Sequence, residues 1–329
     1  MSDQSEHETY VRKFSFRPFS GVRRGRIYRV FTIGWFNLVE SVRRSGFTKF
    51  LLFMMVISLI IQDVVPIVMT RFVGPGYLEY LGITVNDLFR GVYTESVLGM
   101  VALTNRIGVD FMPVFSLFSF TSIGTSLMWL LLLSIIGGGL VADDKLFRTT
   151  EAYYSRVSRF EYIVGKLLSL VIFSTLVITL PAALQYVMLT MGLNTSFAAN
   201  ADLLLWAIGF TIIGAVALSL LMLSISSMTK RRGVATLVLF IFAIVMSGLP
   251  SAFGSLYASD SPTLLIDFVG CIAMLGTIML GRSYIIVNGS RVDFYNGSGL
   301  EGYMVVAVVG LVFLIGFLIL FMNLLRRDA

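Results

Sequence analysis

The sequence predicts an all-α integral membrane protein with six transmembrane helices, and three observations predict it. First, 57% of its 329 residues are hydrophobic and only 13% charged, with a mean hydropathy of +0.87. Second, apolar runs of roughly 18 residues or more recur, long enough for a helix to cross the hydrocarbon core of a bilayer. The runs are continuous and not alternating, so helices are favoured over a closed barrel, the other structure whose backbone is satisfied in lipid. Third, the basic residues partition between the two sides. With the N-terminus, 142–166, 229–233 and the C-terminus on one side, the other side holds only Arg71, Arg90, Arg106, Arg282 and Arg291, leaving 20 of the 25 Lys and Arg on the first. Lys and Arg mark the cytoplasmic side. Both termini are therefore expected inside a plasma membrane, and the span count is even.

The chain divides into a cytoplasmic tail with an interfacial helix (1–46) and a transmembrane domain (47–329). Residues 1–11 are polar, and 12–46 are basic and aromatic, with no short apolar region of a cleavable signal peptide. From Arg26, Ile27, Val30, Phe31, Gly34, Trp35, Leu38 and Val42 recur every three or four residues and share a helical face, with Arg29, Asn37, Arg43 and Arg44 off it. That pattern suits a helix lying in the headgroup plane, apolar side in the membrane and basic side on anionic lipid.

The first span is expected at 47–70. Asp63 falls a helix rise of roughly 20 Å beyond Lys49, toward the outer interface and within reach of water. A polar segment follows at 71–112, with short helices at Tyr77–Leu81 and Asn86–Asn105. Further spans are expected at 114–140, 167–191 (interrupted by Pro181), 203–228, 234–249 and 303–325. The apolar stretch 264–280 is 17 residues long and contains Asp267, Gly270 and Gly276. An even count makes it a re-entrant hairpin before the sixth span, two short helices broken at Gly270. The three Asn-x-Ser/Thr sequons, at Asn194, Asn288 and Asn296, all fall outside in this topology.

Several chemistries are poorly served by this composition. A single cysteine, Cys271, precludes a disulfide within the chain, and a single histidine, His7, leaves little for a metal site. There is no Gly-x-x-x-x-Gly-Lys-Ser/Thr, hence no phosphate-cradling loop. The net charge of +6 is concentrated on one side of a membrane and does not point to nucleic acid. Small residues in the fourth span (Gly209, Gly214, Ala215, Ala217, Ser219) permit close helix approach, within the bundle or across a dimer seam.

The polar stretch 137–166, GGGLVADDKLFRTTEAYYSRVSRFEYIVGK, joins the second and third spans. Gly137, Gly138 and Gly139 would end the second span with flexible backbone. Asp143 and Asp144 would cap the start of a following helix. Phe147, Tyr153 and Tyr154 supply bulky anchors and Arg148, Glu151 and Arg156 ion-pairing capacity, the residue types that protein interfaces favour.

The run from Ala142 through Thr150-Glu151 and Val157-Ser158-Arg159 to Gly165-Lys166 resembles the permease subunits of type-2 ABC transporters. That family carries an acidic turn, a Thr-Leu-Glu-like step, a Pro-Val-Ser-Arg-like step and a closing Gly-Lys between its second and third spans. Arg156 stands where the proline is usual. Arg17-Pro18-Phe19-Ser20-Gly21 and the basic amphipathic helix also resemble the family's elbow helix, with Arg26, Arg29 and Trp35 as its residues. The resemblance implies a coupling helix at 142–166, with Asp143, Asp144, Arg148, Thr150, Glu151, Tyr154, Arg156 and Arg159 meeting a separate ATP-binding subunit. It further implies a dimer of permease chains and an exporter, with ATP and magnesium held by the partner subunit. This chain would carry no cofactor, no metal and no catalytic residue of its own. Two other readings stay open: an ion-gradient-driven secondary transporter or channel, with Asp63 its candidate acid, and a non-transporting membrane anchor for an ATPase complex.

Overall fold

Long apolar helices make up most of the chain. The computed structural model describes residues 25–73, 84–101, 116–150, 157–254, 265–281, 284–287, 290–293 and 301–325. The tail with Arg17–Gly21, the short helix expected at Tyr77–Leu81, and Glu151, Tyr154 and Arg156 lie outside these residues.

The elements in order are α1 (Arg26–Arg44), α2 (Gly46–Val73), α3 (Val85–Val101) and α4 (Ser116–Leu146). Next comes α5 (Arg159–Ser174), which runs through a π-helical turn (Thr175–Thr179) into α6 (Leu180–Gly192). A 3₁₀ turn (Ala198–Asn200) leads to α7 (Ala201–Met228), α8 (Arg232–Gly254) and α9 (Phe268–Met279). A two-stranded antiparallel hairpin, β1 (Tyr284–Val287) and β2 (Ser290–Asp293), pairs Tyr284 with Asp293 and precedes α10 (Gly302–Leu325). Among the described residues, five helical stretches are long and apolar enough to cross a membrane: Gly46–Phe72, Ser126–Leu146, Arg159–Gly192, Ala198–Met228 and Gly302–Asn323. The expected fifth span lies within α8, whose stretch Arg232–Met246 is apolar but shorter than these five.

The packing centres on α4, which touches α2, α3, α5, α7 and α8. Its buried side chains Trp129, Leu130, Leu132, Leu133 and Ile136 belong to one continuous apolar core with those of α3, α7 and α9.

Three expectations change. The helix expected at Asn86–Asn105 is present, but its polar sequence does not leave it exposed. This helix, α3, is buried from Leu88 to Val101 except at Arg90. Glycines on its neighbours make the room: a Cβ on Gly214 of α7 would lie 2.5 Å from Val101, and one on Gly276 of α9 would lie 2.5 Å from Leu98. The stretch expected to re-enter is not broken at Gly270, which lies inside α9. The helix starts at Phe268, and Asp267 caps it, its Oδ1 accepting a hydrogen bond from Gly270 N (2.9 Å). Finally, Asp63 is 5% exposed and packed inside the bundle, not at a watery rim.

Candidate functional site at the basic ends of the spans

The stretch 142–166 is not one helix between two spans. Its described residues are the last turns of α4, a turn at Phe147 and Arg148, two helical residues at Thr149 and Thr150, and the first turns of α5. The glycine triplet does not loosen α4, because each glycine is a place of close approach. A Cβ would lie 2.4 Å from Met222 at Gly137, 2.6 Å from Thr236 Oγ1 at Gly138, and 2.8 Å from Asp143 Oδ2 at Gly139. Ser226 Oγ donates to Gly138 O (3.0 Å), and Arg232 donates from Nη2 to Ile135 O (2.9 Å). Lys145 Nζ donates to Ser227 O. The helix ends at Leu146, and Phe147 and Arg148 form the turn after it, where Arg148 takes a left-handed conformation (φ 55°).

Asp143 and Asp144 therefore sit in the last turn of α4 and do not cap a following helix. Carboxylates at a helix C-terminus face the negative end of its dipole and need compensation. Asp144 receives it from α5. Its Oδ2 lies 2.7 Å from Lys166 Nζ and accepts a 2.7 Å hydrogen bond from the Tyr162 hydroxyl, while Oδ1 accepts from Thr149 Oγ1 at 2.9 Å. Lys166 is 2% exposed. It also donates to Asn37 Oδ1 of α1 (2.8 Å) and stands 5.4 Å from the centre of the Tyr162 ring. Asp143 and Glu40 add further negative charge around it.

A second ion pair lies one turn earlier on α5. Ser158 caps the helix: its Oγ accepts from Glu161 N (3.2 Å), and Glu161 Oε2 accepts from Ser158 N (3.1 Å), a reciprocal capping box. The other oxygen of Glu161 accepts from Arg29 Nη2 at 3.1 Å and lies 3.8 Å from Arg26 Nε. Glu161 thus serves both the start of α5 and the basic face of α1. Between the two ion pairs the helices nearly touch. A Cβ on Gly165 would lie 2.9 Å from Ile33 Cγ2, and one on Gly34 would lie 3.1 Å from Gly165 O. The Gly-Lys pair has a local physical role: Gly165 admits α1, and Lys166 fastens α1 and α4 to α5.

The expected apolar face of α1 splits in two. Gly34 and Leu38 are buried, with Val30 and Val42 half-buried, whereas Ile27, Phe31 and Trp35 are exposed and Phe31 stacks on Trp35 (centroids 6.4 Å apart). Of the other site residues named from sequence, Arg26, Arg29 and Asp144 join the network. Arg148 is exposed at the turn, and Thr150 and Arg159 are half-buried.

Sequence reasoning did not select Asn37, Glu161, Tyr162 and Lys166 as site residues. The Ser158-x-x-Glu161 spacing was the available signal for a capping box. The pairing of Lys166 with Asn37 had none, since 129 positions separate them. Among the described residues, no group of three or more His, Cys, Asp or Glu is arranged to hold a metal ion. No family model matches the sequence, and comparisons with curated proteins and with solved structures return no match.

Proposed function

We propose that the chain is the membrane subunit of an ATP-driven ABC transporter of the type-2 exporter kind. It would move a substrate from the cytoplasm or inner leaflet, energised by a separate ATP-binding subunit. The observation that carries this reading is the charged network of Asp144, Lys166, Asn37, Glu161 and Arg29. A partner pressing on the turn between α4 and α5 presses on a joint that ties two apolar helices to an amphipathic one. Motion there has a stiff route into the bundle. The sequence resemblance over 142–166 and the lack of a phosphate-binding loop in the chain support the same assignment.

In this reading six spans cross the membrane, with α8 as the fifth and α9 as the re-entrant element before the last. Both termini lie in the cytoplasm, and α1 rests on the inner leaflet with Ile27, Phe31 and Trp35 in lipid. Two such chains pair, each docked on one ATP-binding subunit. ATP and magnesium belong to that subunit.

The test is co-purification and ATPase coupling with the candidate ATP-binding subunit, comparing wild type with Glu151→Lys combined with Arg159→Glu. The double charge reversal is expected to uncouple ATP turnover or abolish assembly. If assembly and coupling are both unchanged, docking does not occur there.

One observation favours a second reading, an ion-driven transporter: Asp63 is an acid buried inside an apolar helix. Ion-gradient-driven transport by the purified chain alone, lost in Asp63→Asn, would establish it in place of the first.

A further inference from the structure

A groove of about 630 Å³ lies between α1 and α5, within the size range of small-molecule sites. One wall is a stripe of α5, Phe160, Val164 and Leu168, spaced four apart and therefore on one helical face. The other wall is Ile27, Val30 and Phe31 of α1. All six are exposed or half-buried, Phe160 by 61%. The α5 stripe is about 12 Å long at the α-helical rise. That is close to the hydrocarbon depth of one leaflet, half of roughly 30 Å.

The groove's polar lining comes from the first turns of the two helices, where Arg26, Arg29, Ser158 and Glu161 border it. Both oxygens of Glu161 are engaged, one by Arg29 Nη2 and the other by Ser158 N. Two arginines against one carboxylate leave a positive charge over. Arg26 Nε lies 3.8 Å from Glu161 Oε1, beyond a hydrogen bond, and its side chain is 87% exposed against 7% for Glu161. An arriving anion therefore meets guanidinium and not the carboxylate. The sequence leading into α1 adds Arg17, Arg23 and Arg24, so it brings more cations.

On a helix that merely rests on a membrane, charged and apolar sides face apart. Here arginines and apolar side chains border one groove, which suits a ligand with an anionic head and an apolar tail. Guanidinium matches phosphate geometry, and basic pockets beside membrane helices take anionic lipid headgroups. We propose that the groove seats one anionic phospholipid, its phosphate on Arg26 and Arg29 and an acyl chain against Phe160, Val164 and Leu168. The lipid bridges α1 and α5, so its headgroup charge bears on how firmly α1 is held. The site requires only that the chain lie in a membrane. It needs no ATP-binding subunit and stands or falls apart from the transporter reading.

The test is native mass spectrometry of the full chain released from nanodiscs of mixed phosphatidylglycerol and phosphatidylcholine. Retention of a single phosphatidylglycerol in preference to phosphatidylcholine is expected. Arg26→Gln, at an exposed position, should weaken that retention about fivefold, the worth of one arginine at an anionic surface. Val164→Trp fills the apolar wall without changing charge and should abolish it; Arg26→Gln decides alone if this variant does not fold. Arg231→Gln, exposed at the turn between α7 and α8, should leave retention unchanged. Equal retention of the two lipids would overturn the proposal. So would equal losses in Arg26→Gln and Arg231→Gln, the mark of diffuse surface charge, or full retention in a folded Val164→Trp, the mark of a headgroup contact outside the groove. Photocrosslinking from Ile27→p-benzoylphenylalanine identifies the occupant. Adducts enriched in phosphatidylglycerol support the lipid, whereas a cross-link to residues 1–24 or to a second copy assigns the groove to that segment or copy and sinks the proposal.

Discussion

Lys166 and Asp144 lie 2.7 Å apart, and the lysine has almost no contact with solvent. For such a pair, the cost of removing one charge exceeds the worth of the pair itself, because the partner is left buried and unpaired. Lys166→Met is therefore expected to destabilise the protein by roughly 3–5 kcal/mol, read as a shift in the denaturation midpoint in detergent. Adding Asp144→Leu should recover most of that loss. Additive losses in the double variant would show that the two side chains are not energetically paired. Glu161 differs, since its partner Arg29 is 39% exposed. An exposed pair is worth about 0–1 kcal/mol and loss of the capping box about 1–2 kcal/mol. Glu161→Ala should thus cost less than Lys166→Met, a ranking that the same denaturation series tests. At this scale the sequence discloses what is local. Ser158 and Glu161 are three residues apart and their pairing follows from helix geometry, whereas Asn37 meets Lys166 only because α1 folds back across α5.

Between elements, the crossing of α1 over α5 rests on the absence of side chains at Gly34 and Gly165. A leucine at Gly165 has to occupy the space of Ile33 and Val30, whose atoms already lie within 3.3 Å of where its Cβ would sit. Gly165→Leu is expected to lift α1 from the bundle and expose it to trypsin at Arg26, Arg29, Arg43 or Arg44. An unchanged cleavage pattern would mean that α1 is held by other contacts. The expectation for α1 was a single apolar face on the membrane. Periodicity established that face but could not divide it between lipid and α5, which is a tertiary matter. The helix of α3 was legible in the sequence, but its burial was not, for a different reason. Asp87, Arg90, Thr94, Glu95 and Ser96 lower its apolar content, so it resembles an exposed loop helix. In the fold Arg90 reaches Asn200 Oδ1 and Asp202 Oδ2, both at 3.3 Å, and Ser96 Oγ lies 2.9 Å from Gln62 Oε1 of α2 and from Gln185 Oε1 of α6. Polar residues that find partners leave a helix free to be buried, and the partners are distant in sequence.

For the molecule as a whole, class and approximate spans were legible because continuous hydrophobicity is a one-dimensional property. Burial depth, and the end of one helix against the start of the next, were not. The single cysteine offers a global probe. Cys271 is fully buried on α9, packed among α7, α8 and α10. Maleimide labelling is expected to be negligible in the folded protein and to rise with the same midpoint as thermal unfolding. Fast labelling at low temperature would mean that α9 opens separately from the bundle.

The π-helical turn at Thr175–Thr179 bears on how the two ends of one long helix are phased. Nineteen positions separate Lys166 from Gln185. On an unbroken α-helix that spacing sets the two side chains about 100° apart around the axis. A wide turn absorbs one extra residue, and eighteen positions make five full turns. Lys166 of the charged network at one end and Gln185, which meets Ser96, at the other are then aligned along one azimuth. Deleting Val177 converts the wide turn to an ordinary one and keeps that alignment, so the variant should fold with a melting temperature close to wild type. Deleting Leu184 rotates Gln185 away from Ser96 and should lower the melting temperature far more. Equal effects of the two deletions would show that the turn has no part in the phasing.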